Sequence, residues 1–305
     1  MAKTKKKMVI GIIANTTKQN VFSVISGLLK KLKENEFDYF LSADTGKYKE
    51  LITEKVGESK FLVEDKLCKK SDIIISIGGD GTMLATAFHA HLYNKPVLGV
   101  NLGKLGFLVD ANVEELDRVI DDLKKKRYSV EERMVIEGEC LGHKVEKLYA
   151  INDIVIDKGG WPKMIELTIT VDGEYVTTFA ADGLIIATPT GSTGYSISVG
   201  GPIVSPLTDV ITLAPVSPHS LSMRPLVLPS SQEILIRVSS LHKEIHLNCD
   251  GQRVFAFLPP LELKITKSKR PLKLVQTSFT GYFEKLRNKL LWGIDLRNNL
   301  NNRTK

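Results

Sequence analysis

Ser71-Asp72-Ile73-Ile74-Ile75-Ser76-Ile77-Gly78-Gly79-Asp80-Gly81-Thr82 is the stretch whose reading decides the fold. Four of the five residues from Ile73 to Ile77 are branched aliphatics, a run too short for a lone helix and too continuously apolar for a strand with one wet face. It reads as a buried parallel strand. The run stops at three glycines around one aspartate, which remove Cβ atoms that would keep a ligand from the backbone and allow positive φ. A helix is predicted behind them, over roughly Thr82 to His91. Strand, glycine turn and helix N-terminus together aim backbone N–H groups at one point, which suits a phosphate. A carboxylate would repel that ligand, so Asp80 needs another task. It caps the helix, accepts a proton from a hydroxyl or holds a metal ion. Taken alone, the turn favours the cap.

The 305 residues suffice for two domains with their own cores, and the 43% apolar content fits a globular protein. No apolar run approaches the ~20 residues of a membrane span. The basic segment Met1 to Lys7 precedes apolar Met8 to Ala14, which runs into Asn15-Thr16-Thr17-Lys18-Gln19-Asn20 without a small-residue cleavage site. A first β-strand behind a solvated tail is the reading, not a signal peptide. Cys68, Cys140 and Cys249 lie far apart with no CxxC pair, which gives neither a disulfide framework nor a zinc site, and points to a cytoplasmic protein. The net charge of +7 sits in basic runs without aromatic interleaving. It implies attraction for anionic ligands, with no nucleic-acid or membrane partner.

Around the opening stretch the chain alternates strands and helices. Met8 to Ala14 is strand-like, and Val21 to Leu32 is a helix with Val21, Val24, Ile25, Leu28, Leu29 and Leu32 on one face. Phe37 to Leu41 reads as a strand, Lys47 to Val56 as a helix, and Pro96 to Val100 as a strand ending in Asn101-Leu102-Gly103-Lys104-Leu105-Gly106-Phe107-Leu108. This pattern predicts an open, mostly parallel, Rossmann-like sheet with ligands beyond its carboxyl ends, where both glycine loops fall. A helix through Leu116, Val119, Ile120 and Leu123 ends in Lys124 to Arg127, whose charges suit the helix dipole. Thereafter the period becomes strand-like: Tyr128 to Leu141, Val145 to Ile156, Ile165 to Val171, Tyr175 to Ala180 and Leu184 to Thr188. Asp172-Gly173 is a hairpin turn. Further strands cover Val210 to Leu213, Ile234 to Val238, Glu244 to Cys249, Val254 to Phe257 and Leu261 to Ile265. The division is an α/β domain over 1–126 carrying the glycine loop, a β-rich domain over 127–274, and a terminal segment over 275–305. In the last, Phe283 to Leu291 has helical spacing and must dock on something to bury its apolar face.

Two constellations lie beyond the first loop. Asn152-Asp153 interrupts an apolar strand pattern, either as a strand-end bulge or as a pair that hydrogen-bonds ribose hydroxyls or an amide. Asp182-Gly183 leads through Leu184 to Ala187 into Thr188-Pro189-Thr190-Gly191-Ser192-Thr193-Gly194-Tyr195-Ser196, small and hydroxylated except for Pro189 and Tyr195. Its hydroxyls and N–H groups can bond a nucleotide, and Tyr195 can stack on a base. The segment lacks the Gly-Lys-Ser/Thr ending of a P-loop, and no GxGxxG follows the first strand. In Pro218 to Pro225, His219 reads as structural and Arg224 as an anion contact. Cys249-Asp250-Gly251-Gln252 reads as a strand-to-strand turn.

Taken in this order, Gly78 to Thr82, Leu105 to Leu108, Asn152-Asp153, Asp182 to Ile185, Thr188 to Ser196, Pro218 to Pro225 and the closing Leu286 to Gly293 resemble the NAD kinase family over nearly the whole chain. The resemblance implies transfer of the γ-phosphate of ATP to the 2′-hydroxyl of the adenosine ribose of NAD, with a divalent cation such as Mg. It makes Asp80 the general base, with Gly79, Gly81, Leu105, Gly106 and Phe107 bordering the same site. Asn152 and Asp153 would hold NAD. Asp182, Thr193, Gly194, Tyr195 and Ser198 match further dinucleotide contacts, and Lys163 and Gln252 are carried over with them. No metal ligands follow from the match. The implied fold is an α/β N-terminal domain and an all-β, NAD-binding C-terminal domain, with the last helix packing back on the first. A homodimer or homotetramer through the β domain is implied.

The chain departs from the family pattern at Asp153, where Glu is usual, at Gly194, where Ala is common, and at Ala180-Ala181, where some members carry Arg. A lipid kinase of the same superfamily would keep Asp80 without needing Asn152-Asp153 and the Thr188 to Ser196 segment. A non-enzymatic NADP-binding sensor would not need Asp80.

Overall fold

The computed structural model describes residues 7–103, 106–109, 111–160, 162–241, 244–277 and 281–290. They form two compact units, Met1–Glu131 with Leu274–Lys305, and Glu132–Lys273.

In the first unit, Ile73–Gly78 is buried at all six positions. It lies between two parallel neighbours, Val9–Ala14 and Val97–Asn101. The sheet runs Phe61–Leu62, Asp38–Ser42, Val9–Ala14, Ile73–Gly78, Val97–Asn101, Leu272–Gln276 and Ser129–Arg133, with Ala111–Asn112 beside Val97–Asn101. Strand order reverses between Val9–Ala14 and Ile73–Gly78, so the glycine turn stands at the switch point where such sheets bind ligands. Val21–Glu34 and Leu116–Lys125 bury Ile25, Leu28, Leu29, Val119, Ile120 and Leu123 in one core with Ile10, Ile12 and Ile75. The basic run ending the second helix is paired, with Arg127 and Lys125 both reaching Asp121.

Some local expectations change. The region 47–56 carries only the short turn Lys49–Leu51, while Glu64–Lys70, not foreseen, is the helix that leads into Ile73–Gly78. Its capacity to bury Leu67 and Cys68 rests on one turn's worth of apolar side chains, too few for the periodicity to register. The strand Leu272–Gln276 was also missed. It returns the chain to the first sheet, pairing parallel with Val97–Asn101. The terminal helix Tyr282–Leu290 follows and packs on this unit, with Leu286 buried and Lys285 Nζ 3.1 Å from the Val109 carbonyl oxygen. Leu291, Trp292 and Gly293 lie outside the described residues.

The second unit is all β. One six-stranded sheet runs Leu226–Pro229, Val210–Val216, Gly183–Ala187, Asp153–Asp157, Ile245–Cys249 and Arg253–Phe257. The other runs Glu174–Ala181, Ile165–Val171, Ile234–Ser239, Leu261–Lys267, Ile136–Cys140 and Leu148–Ala150. Alternate residues from both, such as Ile154, Ile156, Leu184, Leu167, Ile236 and Leu263, share one core. Asp172 and Gly173, both at positive φ, close the hairpin between Ile165–Val171 and Glu174–Ala181. The first sheet is buried on its second face too, around Val155, Ile185, Ala187 and Ala214. That second face carries the candidate cleft. Cys68, Cys140 and Cys249 are free and buried, and burial pushes each thiol up.

Candidate active site

The candidate residues fall on both units, and each part is built by local geometry. In the first unit the helix behind the glycine turn spans Asp80–Leu92, with Gly79 at its N-cap and no side chain capping it. It starts two residues earlier than the spacing predicts, which places Asp80, Gly81 and Thr82 in its first turn. Asp80 is therefore not a cap. Its carboxylate turns to the loop after Val97–Asn101, where Oδ2 accepts a hydrogen bond from the Phe107 N–H at 2.9 Å and Oδ1 one from the Leu108 N–H at 3.1 Å. A Cβ built on Gly106 would stand 1.7 Å from Asp80 Oδ1, so only glycine lets the loop close on the carboxylate. None of the glycines of the turn takes positive φ. Gly78 instead makes room for the Thr82 side chain, 2.3 Å from where its Cβ would be. Leu105 lies outside the described residues. At the switch point, Ile13, Ala14 and Asn15 face Gly81 and Thr82 across a crevice of about 430 Å³.

In the second unit the strand alternation sets Asp153, Val155 and Asp157 in a row on one face. Antiparallel pairing puts Gly183 opposite Asp157 and Asn248 opposite Val155, and Val216 lies opposite Gly183. These residues, with Asn152, Asp182, Tyr195, Asp250 and Gly251, line a cleft of about 420 Å³. Asn152, Asp153, Asp182 and Tyr195 are thus brought together. Thr193 and Gly194 sit on the adjoining turn, and Ser198 donates to the Tyr195 carbonyl oxygen at 2.8 Å. Lys163 and Gln252 are exposed and do not line the cleft. His219 engages through its backbone N–H, which donates to the Ala180 carbonyl oxygen. The Arg224 guanidinium bonds the carbonyl oxygens of Leu221 and Met223, so it braces its own loop.

The organiser of this part is Asp250, which the sequence reading passed over as a turn residue. Its backbone takes positive φ, beside Gly251, which also does. Its buried carboxylate accepts from the N–H groups of Ile151 at 2.9 Å and Asn152 at 2.7 Å. Arg253 pairs with the same carboxylate at 3.2 Å. The Thr188 to Ser196 segment is fixed to the same place. Thr188 donates through Oγ1 to the Ile151 carbonyl oxygen at 2.5 Å, and through N–H to that of Asn152 at 2.8 Å. Gly191 passes so close that a Cβ would lie 2.1 Å from the Asn152 carbonyl oxygen.

Two features mark the cleft as built for a polar ligand. Asn152 Oδ1 and Asn248 Oδ1 are buried without a hydrogen-bond partner among the described residues, a cost that a ligand donor removes. Burial, reinforced by the charge of Asp250, pushes the Asp153 carboxyl up to about 7. Burial raises Asp250 as well, opposed by the backbone N–H bonds it accepts. Asp182 is held by an ion pair to Lys158. Asp157, Asn248 and Asp250 were missed by the sequence reading, although two-residue alternation along Asp153–Asp157 sets Asp157 on the face of Asp153.

A parallel sheet with a carboxylate at the glycine turn of its switch point, joined in one chain to a β unit with a cleft lined by carboxylates and carboxamides, is the build of a two-unit protein that binds small polar ligands. Comparison with known proteins narrows that class. The ATP-NAD kinase N-terminal domain matches residues 10–128, and the ATP-NAD kinase C-terminal domain matches residues 151–277. An NAD kinase of Chlorobium phaeovibrioides is 37% identical over 94% of this chain and 99% of its own. A yeast NADH kinase solved with NADH superposes with a TM-score of 0.86 at 25% identity, over 96% of this chain and 89% of that one. An NAD kinase from Archaeoglobus fulgidus solved with ATP gives 0.71 at 26%, over 92% and 98%. The chain belongs to the NAD kinase family.

Proposed function

We infer that the chain transfers the γ-phosphate of ATP to the 2′-hydroxyl of the adenosine ribose of NAD, giving NADP and ADP. The observation that carries this reading is the Asp80 carboxylate. It is clamped by two backbone N–H groups at the switch point of the sheet, in a chain that also holds a cleft lined by Asn152, Asp153, Asp182 and Tyr195.

The roles divide as follows. Gly79 and the N-terminus of the helix Asp80–Leu92 face the phosphates of ATP, with Gly81 bordering them. Gly106 and Phe107 hold Asp80. In the cleft, Asn152 and Asp153 take the dinucleotide, with Asp182, Tyr195, Thr193, Gly194 and Ser198 around it. Asp80 accepts the proton of the 2′-hydroxyl as its oxygen bonds to the γ-phosphorus and the bond to the bridging oxygen of ADP breaks. An ordinary carboxylate is a weak base near pH 7, so transfer is late and catalysis leans on positioning. Lys163 and Gln252, exposed, could contribute only at the margin of the dinucleotide.

Among the described residues no group of three or more His, Cys, Asp or Glu side chains gathers to hold a metal ion. The described residues therefore offer no cation site of their own. Mg is instead proposed to arrive on the triphosphate, whose oxygens are its usual ligands in such reactions. No helix among the described residues is long and apolar enough to cross a membrane, and we place the protein in the cytoplasm as a homodimer or homotetramer.

The test is direct. Purified protein with ATP, magnesium and NAD should yield NADP, detected by an NADP-specific dehydrogenase, while diacylglycerol in a parallel reaction stays unmodified. Phosphorylated lipid with no NADP would replace this reading with that of a lipid kinase. Tight NADP binding with no turnover would make the chain a sensor, a role that the clamped Asp80 argues against.

A further inference from the structure

The terminal helix Tyr282–Leu290 does more than cover the first unit. Lys285 and Lys289 lie four residues apart on one helix face. Lys285 Nζ donates to the Val109 carbonyl oxygen at 3.1 Å. One turn further on, Lys289 Nζ stands 3.3 Å from Asp80 Oδ2 and 4.9 Å from the centre of the Phe107 ring. The two lysines thus grip both the loop that clamps Asp80 and Asp80 itself.

An ionised carboxylate has about four lone-pair sites. Oδ2 uses two, for the Phe107 N–H and the Lys289 ammonium, and Oδ1 uses one, for the Leu108 N–H. Counting partners among the described residues, one site remains, on Oδ1. We propose that Lys289 is a positioning residue for phosphoryl transfer, one that occupies Asp80 Oδ2 so that Oδ1 alone meets the hydroxyl of the acceptor. Its ammonium, seated over the Phe107 ring, also holds the loop shut. The inference rests on the reading of Asp80 as the base.

The groups facing Asp80 are the Phe107 and Leu108 N–H groups from the loop and the Lys289 ammonium from the terminal helix. Lys289 therefore supplies the paired positive charge among the described residues.

The experiment compares wild type, Lys289→Met, Lys289→Arg and Asp80→Asn as full-length proteins, reading kcat and the KM for NAD separately. In Lys289→Met kcat should fall by roughly 3- to 10-fold while the KM for NAD stays within about twofold and the melting temperature is unchanged. Lys289→Arg, which keeps a charged donor, should restore kcat. Unchanged kcat in Lys289→Met, with the expected loss of turnover in Asp80→Asn, overturns the positioning role alone. Near-normal turnover in Asp80→Asn overturns the base and this inference together. If Lys289→Met does not fold, Lys289→Gln gives the same reading, and a kcat that stays put in it is equally contrary.

Discussion

Asp250 Oδ1 lies 2.7 Å from the backbone nitrogen of Asn152 and accepts its hydrogen bond, from 98 residues further along the chain. The Asn152-Asp153 pair is thus set in place by a carboxylate in a hairpin turn. The cleft is organised from its buried side. Asp250→Ala leaves the buried N–H groups of Ile151 and Asn152 without their acceptor, and each such loss costs about 1–3 kcal/mol. Relief of repulsion with Asp153 offsets part of this, so denaturant unfolding should show a loss of roughly 2–4 kcal/mol. The KM for NAD should rise by about tenfold or more, since a small displacement in a positioned site is costly. A variant with wild-type stability and KM would remove Asp250 from this role.

Asp153 gives the pH dependence. Burial, then the charge of Asp250, raises its carboxyl from an ordinary 3.8 to about 7. The folded protein therefore holds this proton over a range where the unfolded chain has lost it. Stability from this group is complete below the unfolded value, falls as pH rises from about 4 to about 7, and levels off above. Asp153→Asn cannot ionise and escapes the penalty. Its melting temperature relative to wild type should climb through that window and then stay constant. A difference that does not vary with pH would contradict the raised value.

Gly106→Ala tests the clamp without touching the carboxylate. Its Cβ would fall 1.7 Å from Asp80 Oδ1, so either the loop or the side chain must shift. The residue lies in a loop, so melting should move little, while kcat falls by about 10-fold or more. Normal kcat with an intact fold would mean that the loop does not hold Asp80 during turnover.

How much of this was legible follows from the reach of each signal. The run Ile73 to Ile77 announced a buried parallel strand because continuous apolarity is local, and the structure buries it fully. The α/β, all-β and terminal-helix sequence was legible for the same reason. Asp80 was singled out by its glycines, whereas Phe107 was placed beside it only by the family resemblance, because the Phe107 and Leu108 N–H groups lie 27 and 28 residues away and nothing local ties them to it. Of the two uses the sequence suggests for the turn glycines, positive φ is not taken at Gly78, Gly79 or Gly81, and what Gly78 provides, like Gly106 in the later loop, is room for a side chain. Asp250 escaped because Asp-Gly is common in hairpin turns, and its contacts span the sheet. Lys289 sits in a stretch where basic residues at a helix C-terminus are ordinary, and nothing local connects it to Asp80. Strands such as Leu272–Gln276 were missed because pairing partners far along the chain leave no trace in periodicity.

The central claim is that Asp80 takes the proton of the ribose 2′-hydroxyl of NAD. It is tested most directly by measuring NADP formation and NAD binding in parallel on wild type and Asp80→Asn. The asparagine keeps the shape and an acceptor oxygen but cannot serve as the base. Wild type should form NADP, and the variant should bind NAD within a few-fold of wild type while turning over more slowly by a factor on the order of 10² or more. Near-normal turnover in Asp80→Asn would contradict it.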